Sequence, residues 1–588
     1  MSDPSPNSNP ELAIVGLGPR GHFALERFIH ELAVRDAAKH SSILLFEETN
    51  QLGNGPVWDL EQPESNWSNV NERVLDLPPL PKLDLGVTVI EGFPSYHDWA
   101  GCDPTEATSD LPDVYPPRKL IGAYLYERFE VLLRPLVTAG IVTLVQDRVD
   151  AVALAGTGCS ITTRSGDVYF ANQVLLTVGH QPTRHDPQIK GWQADVSVSN
   201  KLRLFDEPYP VDPVKDAIEA DSEATIAIRG YGLATIDIVR AGAEAHGSFV
   251  VKDVLTREQT YTLTEPGSLS IIPFSLDGLP MAPKPLSESI DRQFAPPDAV
   301  LEPFRHKLSD REMQRRATGK AFLLDAITPV IATVFRTLDN KRGDAPAGAD
   351  DLHQLIRAWI EDPVQDHGCF VNTQQPPHDL LKDLLQMAVG AAPISLDYCI
   401  GQVWRRCQPV IYDALSHGAL ADDVLAEIIA MDEGLKRYAF GPPAESLQQL
   451  IALHDAGVLN LNHLTCPDIL VTKQGWVLSN GEKQATASIM VNAVLDAPRI
   501  ADVRSPLIEG LLQDGLLSPV HDDLGVTTAE DGYVISTSGS ALPIAVLGRL
   551  VKGTIIGVDA ILECFGDRPR AWAISAAERI NAGSAVDV

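Results

Sequence analysis

The chain has 588 residues, with 79 acidic against 47 basic side chains and a formal net charge of −32. That is long enough for several domains and too acidic for nucleic-acid phosphates or an anionic membrane, whose neutralisation needs clustered Lys and Arg. Its seven cysteines (Cys102, Cys159, Cys369, Cys399, Cys407, Cys466, Cys564) form no C-x-x-C pair, which argues against a dithiol redox centre, a zinc knuckle or an iron–sulfur ligand run. Free thiols suit a reducing cytosol and no stretch of about 18 uninterrupted apolar residues marks a membrane span, so a cytoplasmic protein is expected.

The first ten residues, MSDPSPNSNP, are polar and proline-rich, with neither a basic leader nor an apolar signal core, and are expected to form a disordered tail (1–10). Leu12-Ala13-Ile14-Val15 then reads as a buried strand ending on Gly16-x-Gly18-x-x-Gly21. In a dinucleotide fold the first glycine permits a tight turn, the second lets a pyrophosphate approach the backbone, and the third lets the following helix pack closely on its strand. Phe23, Leu25, Phe28, Ile29 and Leu32 continue at helical spacing. The next strand, Ser42 to Phe46, ends in Glu47, 26 positions after Gly21 (47 − 21). An acid there can accept both hydrogen bonds of a ribose diol. The usual interval is roughly 20 residues, and the excess fits a longer first helix.

"VTLVQDRVDAVAL", "CSITTRSGDVYF" and "ANQVLLTVGHQP" read as strands, the last closing on Thr177-Val178-Gly179-His180. A second glycine turn follows in "ATIAIRGYGLATIDIVRAGAEA": a strand to Arg229, Gly230-x-Gly232, and a helix with Thr235 where a third glycine could stand. A small residue there still permits close packing, though less freely than glycine. From about 290 to 460 the pattern turns helical, in "DREMQRRATGKAFLLDAITPVIATVFRTL", "ADDLHQLIRAWIED", "HDLLKDLLQMAVGAA", "YCIGQVWRRCQPVIYDAL" and "ADDVLAEIIAMDEGLKRYAF". Strand-like segments then return: "HLTCPDILVTKQGWVLS", "ATASIMVNAVLD" and "DGYVIST".

His353, His367, His378, His417 and the pair Arg405-Arg406 are candidates for holding a carboxylate substrate, although helical faces ordinarily carry such residues to solvent. None forms a metal spacing such as H-E-x-x-H, so no metal ion is expected. A G-x-S-x-G elbow and a Walker A run are both absent, which leaves hydrolase and kinase readings without an anchor.

The ordered set "GLGPRG" (16–21), "GNGPVW" (53–58), "NWSNV" (66–70), "YPPRKLIGAYL" (115–125), "LLTVGHQPT" (175–183) and "IRGYGLATID" (228–237) resembles the FAD–NAD(P)-binding family of flavoproteins. The likeness continues through "YAFGPPAESLQQLIALHDAGVL" (438–459) and "VLGRLVKGT" (546–554). This family is related to the flavin-dependent N-hydroxylating monooxygenases and has members similar to the aspartate N-monooxygenases. The resemblance implies an α/β fold with two Rossmann-like dinucleotide-binding domains and a helical insertion. Its segments would be an FAD-binding domain (11–205), an NAD(P)-binding domain (206–290), a helical cap (291–460) and a return to both nucleotide domains (461–588).

By the same resemblance, Gly16, Gly18 and Gly21 hold the FAD pyrophosphate and Glu47 its ribose, and Pro19 and Arg20 belong to the same loop. Asn69 lies near the isoalloxazine, Val149 holds the adenine through its backbone, Thr177 and Gly179 mark the exit from the first domain, and Gly548 marks the return to the flavin. The nicotinamide nucleotide, NADPH or NADH, rests on Gly230 and Gly232, with Thr235 and Ser275 beside it. Two departures stand out. Ser275-Leu276-Asp277-Gly278 replaces a family Ser-Arg pair, so a guanidinium suited to a ribose phosphate is lost, and Asn492 replaces an aspartate. The implied reaction is oxygen transfer from a C4a-hydroperoxyflavin to the neutral amine of a small amino acid, with molecular oxygen as co-substrate. Two alternatives stay open: an FAD-dependent NAD(P)H oxidoreductase without oxygen insertion, and a non-catalytic flavoprotein binding module. No sustained heptad run defines an oligomer.

Overall fold

The computed structural model describes residues 10–102, 110–197, 202–221, 223–495, 499–536, 539–558 and 560–584. The tail expected over 1–10 lies, apart from Pro10, outside the described residues.

Leu12–Val15 (β1) and Ile43–Phe46 (β2) are apolar at every position, as parallel strands covered on both faces must be, and they pair with Leu12 opposite Ile43 and Val15 opposite Phe46. They lie inside a six-stranded sheet ordered Tyr533–Ile535, Ala541–Val546, Val174–Leu176, β1, β2, Val142–Val145. Its Tyr533–Ile535 edge is antiparallel and the other pairings are parallel. The period-two alternation of the strands sorts their side chains between two cores. Leu12, Ile14, Ile43 and Leu45 pack with Phe28 of the Pro19–Val34 helix (α1), Leu132 and Trp572. Ala13, Val15, Leu44 and Phe46 pack with Val152 and Ile161 of a three-stranded antiparallel meander, Val149–Ala155, Gly158–Thr163 and Val168–Ala171. The sixteen residues of α1 and a one-turn segment at Ala38–His40 account for the long interval between Gly21 and Glu47.

A second sheet, Arg203–Phe205, Ile489–Asn492, Ala224–Arg229 and Leu269–Phe274, is parallel throughout. The Leu233–His246 helix follows Ala224–Arg229, but the next strand, Gly247–Asp253, leaves the sheet and pairs as a hairpin with Glu258–Leu263. The fold is α/β with two Rossmann-like parallel sheets. Between Leu269–Phe274 and Ile489–Asn492 the chain forms a block of helices whose buried Phe335, Trp359 and Trp404 share one core with Ile226, Ile228 and Ile271 of the second sheet. The continuous helical pattern over 310–338 divides into Arg311–Arg316 and Ala321–Thr337, with Ala317 extended between them. The carboxylate of Glu427 accepts the Lys320 amide at 3.0 Å and so anchors the start of the second piece. Among the described residues no helix is long and apolar enough to cross a membrane.

Candidate functional site

The three glycines of the first turn do different work. Gly16 takes φ +92°, and a Cβ there would lie 2.7 Å from the Thr177 carbonyl oxygen. A Cβ on Gly21 would lie 2.1 Å from the Gly16 carbonyl oxygen and 2.8 Å from Thr177 Oγ1. That hydroxyl donates to the Gly16 carbonyl at 2.6 Å, so the end of the Val174–Leu176 strand ties the turn down. Gly18 is open: it precedes Pro19 at the start of α1, no side chain caps the helix, and a Cβ there would meet only the Gly55 Cα at 3.9 Å. Gly18 and Gly55 thus face each other without side chains at the positive end of a helix, which is what a bridging diphosphate requires. Beside them Glu47 accepts the Leu17 amide at 2.9 Å on one carboxylate oxygen and the Thr49 amide and hydroxyl, at 3.1 and 2.9 Å, on the other. The carboxylate is fixed at the loop and keeps lone pairs for a ribose diol. The residues present fit an adenine dinucleotide.

The other residues of this set fall around the loop. Val149 opens the meander opposite Thr163, and Gly179, at φ +64°, has open space where a side chain would be. Arg20 turns toward the C-terminal return and donates to the Glu563 and Val558 carbonyls at 3.3 and 3.2 Å. A Cβ on Gly548 would press on the Arg20 side chain at 3.1 Å.

At the second turn Gly230 takes φ +118° against the Ala493 carbonyl, and Gly232 starts the Leu233–His246 helix with no side-chain cap and only Met281 Sδ, at 3.9 Å, near its missing Cβ. Thr235 is buried and its hydroxyl donates to the Gly230 carbonyl at 2.9 Å. The two turns therefore satisfy the same carbonyl by different routes: Thr177 reaches in from a neighbouring strand and requires glycine at 21, whereas Thr235 supplies the hydroxyl from the helix itself. Thr235→Val removes this bond, and we expect a loss of about 1 kcal/mol in stability and a raised KM for NAD(P)H with FAD content unchanged, read by thermal melting and steady-state kinetics.

Both departures noted in the sequence have partners. Asp277 pairs with Arg437, and the Ser275 hydroxyl accepts the Gly278 amide at 3.0 Å. Asn492 accepts from Arg229 at 3.1 Å and donates to the Asp206 carbonyl at 3.0 Å, and an ionised aspartate has no donor for the second bond. Arg229 also pairs with Asp186 at 2.6 Å.

A polar junction lies between the two turns and the helical block. Asp237, on the helix after the second turn, accepts from Arg118 at 2.7 Å and from the Tyr209 hydroxyl at 2.6 Å. Arg240 stacks over the Trp67 ring at 3.8 Å and donates to Gln449 at 2.7 Å and Ser446 at 2.5 Å; burial pulls its guanidinium down to about 10. A small cavity opens here, lined by Trp67, Asn69, Arg118, Asp237, Arg240 and Ser446.

Asn69 binds the helical block on both sides. Its amide donates to the Phe440 carbonyl at 3.1 Å, and Lys284 donates to its side-chain oxygen at 2.9 Å and to its backbone carbonyl. Lys284 is partly buried, and loss of water together with the Arg405 charge lowers its ammonium pKa to about 7, against the opposing pull of Asp291 and Asp113. Behind it Asp113 accepts from Arg73 at 2.8 and 3.0 Å and from Asn71 at 2.5 Å. Asp291 accepts from Arg405 and, at 2.5 Å, from Arg406. Gln402 Nε2 and Arg406 Nε are buried atoms with no hydrogen-bond partner. Of the helical-block residues singled out in the sequence, Arg405 and Arg406 reach this junction, whereas His367 accepts the nearby Cys369 amide at 3.2 Å. Sequence reasoning missed Gly55, Arg118, Asp237, Arg240 and Lys284. Gly55, Arg118 and Asp237 lay inside the quoted "GNGPVW", "YPPRKLIGAYL" and "IRGYGLATID", and Arg240 lay in the helix after the second glycine turn, whereas Lys284 lay in no quoted segment.

An inner strand of each of the two sheets ends on a bare glycine turn at the start of a helix, the arrangement of a chain with two dinucleotide-binding units, and the protein is a flavin-dependent oxidoreductase. Residues 13–181 match the FAD-NAD(P)-binding family, and the chain carries that domain, with FAD and NAD(P) as its cofactors. The nitrosuccinic acid synthase npaA of Aspergillus oryzae is 27% identical over 237 residues, covering 40% of this chain and 35% of that protein, so the match spans about a third of that relative. An L-aspartate N-monooxygenase (nitrosuccinate-forming) of Streptomyces davaonensis is 23% identical over 585 residues, covering 86% of this chain and 85% of that one. Among solved structures, the reduced form of ornithine hydroxylase (PvdA) from Pseudomonas aeruginosa superposes with a TM-score of 0.44 at 12% identity, covering 97% of this chain and 100% of that chain.

Proposed function

We propose that the protein is an FAD-dependent, NAD(P)H-using monooxygenase that N-hydroxylates the amine of a small amino acid, with aspartate the foremost candidate. In this reading FAD is held by Gly16, Gly18, Pro19, Arg20, Gly21, Glu47, Asn69, Val149, Thr177, Gly179 and Gly548, and the nicotinamide nucleotide by Gly230, Gly232, Thr235 and Ser275. The working domains are 11–205, 206–290, 291–460 and 461–588. Molecular oxygen is the co-substrate, nucleic acid is not a partner, and the acidic, cysteine-bearing chain works in the cytoplasm. Bound FAD supplies the redox chemistry, accepting hydride and activating oxygen.

The observation that carries the substrate assignment is the buried junction behind Asn69. Three guanidiniums, Arg73, Arg405 and Arg406, surround two carboxylates, Asp113 and Asp291, and leave an excess of positive charge. The unpartnered donors of Gln402 and Arg406 lie in the same cluster. Buried donors without acceptors are costly until an acceptor arrives, and a dicarboxylic amino acid brings two. The relatives named for L-aspartate agree with that chemistry. Lys284 adds the second requirement. Oxygen transfer needs a neutral amine, and with its pKa lowered to about 7 Lys284 is present near neutral pH in part as the free amine, which can take a proton from the substrate.

The test is NAD(P)H oxidation in air with a panel of small amines. Aspartate is expected to stimulate oxidation and to yield hydroxylated product matching the NAD(P)H consumed. Equal rates without amine, with all the oxygen recovered as peroxide, would instead identify an oxidase.

A further inference from the structure

A second constellation lies away from the nucleotide turns, where the Pro377–Ala388 helix crosses the end of the Ala444–Asp455 helix. His378, in the first turn of one, stacks on His454 of the other with ring centroids 4.0 Å apart and planes inclined by 24°. His378 Nε2 is 3.0 Å and His454 Nδ1 3.6 Å from the same Asp455 carboxylate oxygen. Neither nitrogen has a hydrogen-bond partner, although both are shielded from water. All three donor atoms lie within 4.8 Å of one another. Lone pairs crowded in this way repel one another unless something positive sits between them. Two protonated rings in face-to-face contact would repel as well, and Lys382 adds a further positive charge beside His378.

The geometry points to a divalent transition-metal site at His378, His454 and Asp455, of the class that takes zinc, with water completing its coordination. Two imidazoles and a carboxylate suit Zn²⁺, Co²⁺ or Ni²⁺, whereas Mg²⁺ and Ca²⁺ prefer oxygen donors. Bonds of roughly 2.0–2.2 Å to one ion bring the three donors together with small side-chain movements. The Asp455 side chain is 57% exposed, which leaves a path for the ion and its water. Neither the 76-residue interval between the histidines (454 − 378) nor the lone His454-Asp455 pair resembles a metal motif, so the expectation of no metal followed from chain spacing, which does not register residues that only the packed helices bring together. Such an ion would clip the two helices together. The Ala444–Asp455 helix also carries Ser446 and Gln449, which hold Arg240 at the junction, so the clip would brace that wall.

The test uses the FAD-loaded full chain after chelator treatment, titrated with Zn²⁺ against a fluorescent competitor. One saturable site is expected, together with a raised melting temperature. His378→Ala, His454→Ala and Asp455→Asn are each expected to weaken binding by about tenfold or more, with the flavin spectrum unchanged as evidence of folding. Excess Mg²⁺ should not compete, and His353→Ala should bind as the unaltered protein does. Zn²⁺ should also protect both histidines from diethylpyrocarbonate, a reading that needs no variant. The assignment is overturned if the unaltered protein shows no saturable site, if the His378→Ala/His454→Ala double variant binds as tightly, or if the two histidines are modified equally with and without Zn²⁺.

Discussion

Gly18→Glu is expected to yield a folded protein that binds FAD at least about 100-fold more weakly, because a like charge set against the diphosphate costs several kcal/mol. Gly18 has φ −66° and ψ −174°, which any residue adopts, and its Cβ would stand 3.9 Å from the nearest atom. The substitution therefore leaves the backbone alone and places a carboxylate in the bare space facing Gly55. Gly21→Ala makes the contrast. Its Cβ would lie 2.1 Å from a backbone oxygen, so the strand and helix must part, and both stability and flavin are lost. Absorbance of the purified proteins, FAD titration and circular dichroism separate the two outcomes. A Gly18→Glu protein that purifies yellow with unchanged affinity would show that the diphosphate lies elsewhere.

Lys284→Met is expected to lower amine-dependent turnover by about 10²–10³, the range of a general base, while FAD content and reduction by NAD(P)H persist. In the unaltered protein kcat/KM for the amine should rise with pH through about 7 as Lys284 loses its proton, and this step should vanish in Lys284→Met. Lys284→Arg separates base from charge, since a guanidinium never becomes neutral in this range, and should remain slow. Stability provides an independent check. The ordinary lysine value is 10.5 and the folded value about 7, so between these pH values the unfolded chain binds more protons than the folded one. Stability contributed through this group therefore rises with pH across that window. Lys284→Met removes that slope, and urea melts of both proteins at pH 7 and pH 9 will reveal it. A purely structural Lys284 would alter stability and leave the pH dependence of amine turnover intact.

What could be read from the chain was what is local in it. The Gly16–Gly21 and Gly230–Thr235 turns sit next to the strands and helices they connect, so their spacing carries their geometry, and the buried faces of α1 followed from apolar periodicity. The junction was not legible in this way. Lys284 meets Asn69 across 215 positions, Arg118 meets Asp237 across 119 and Arg240 meets Ser446 across 206. None of these pairs leaves a pattern in either segment. The same distance hid why Asn492 and Asp277 depart from the family: each answers a partner, Asp206 with Arg229 for one and Arg437 for the other, that only the packed domains bring near. The Gly247–Asp253 strand had no assignment in the sequence, and the structure pairs it as a hairpin with Glu258–Leu263 outside the parallel sheet.

The most direct test of N-hydroxylation is the fate of labelled oxygen. With NAD(P)H, aspartate and ¹⁸O₂, mass spectrometry should find one labelled oxygen atom on the nitrogen of the first product for each nicotinamide oxidised. Label recovered only in hydrogen peroxide, with the amino acid unchanged, would contradict oxygen transfer and leave a flavin-dependent oxidase.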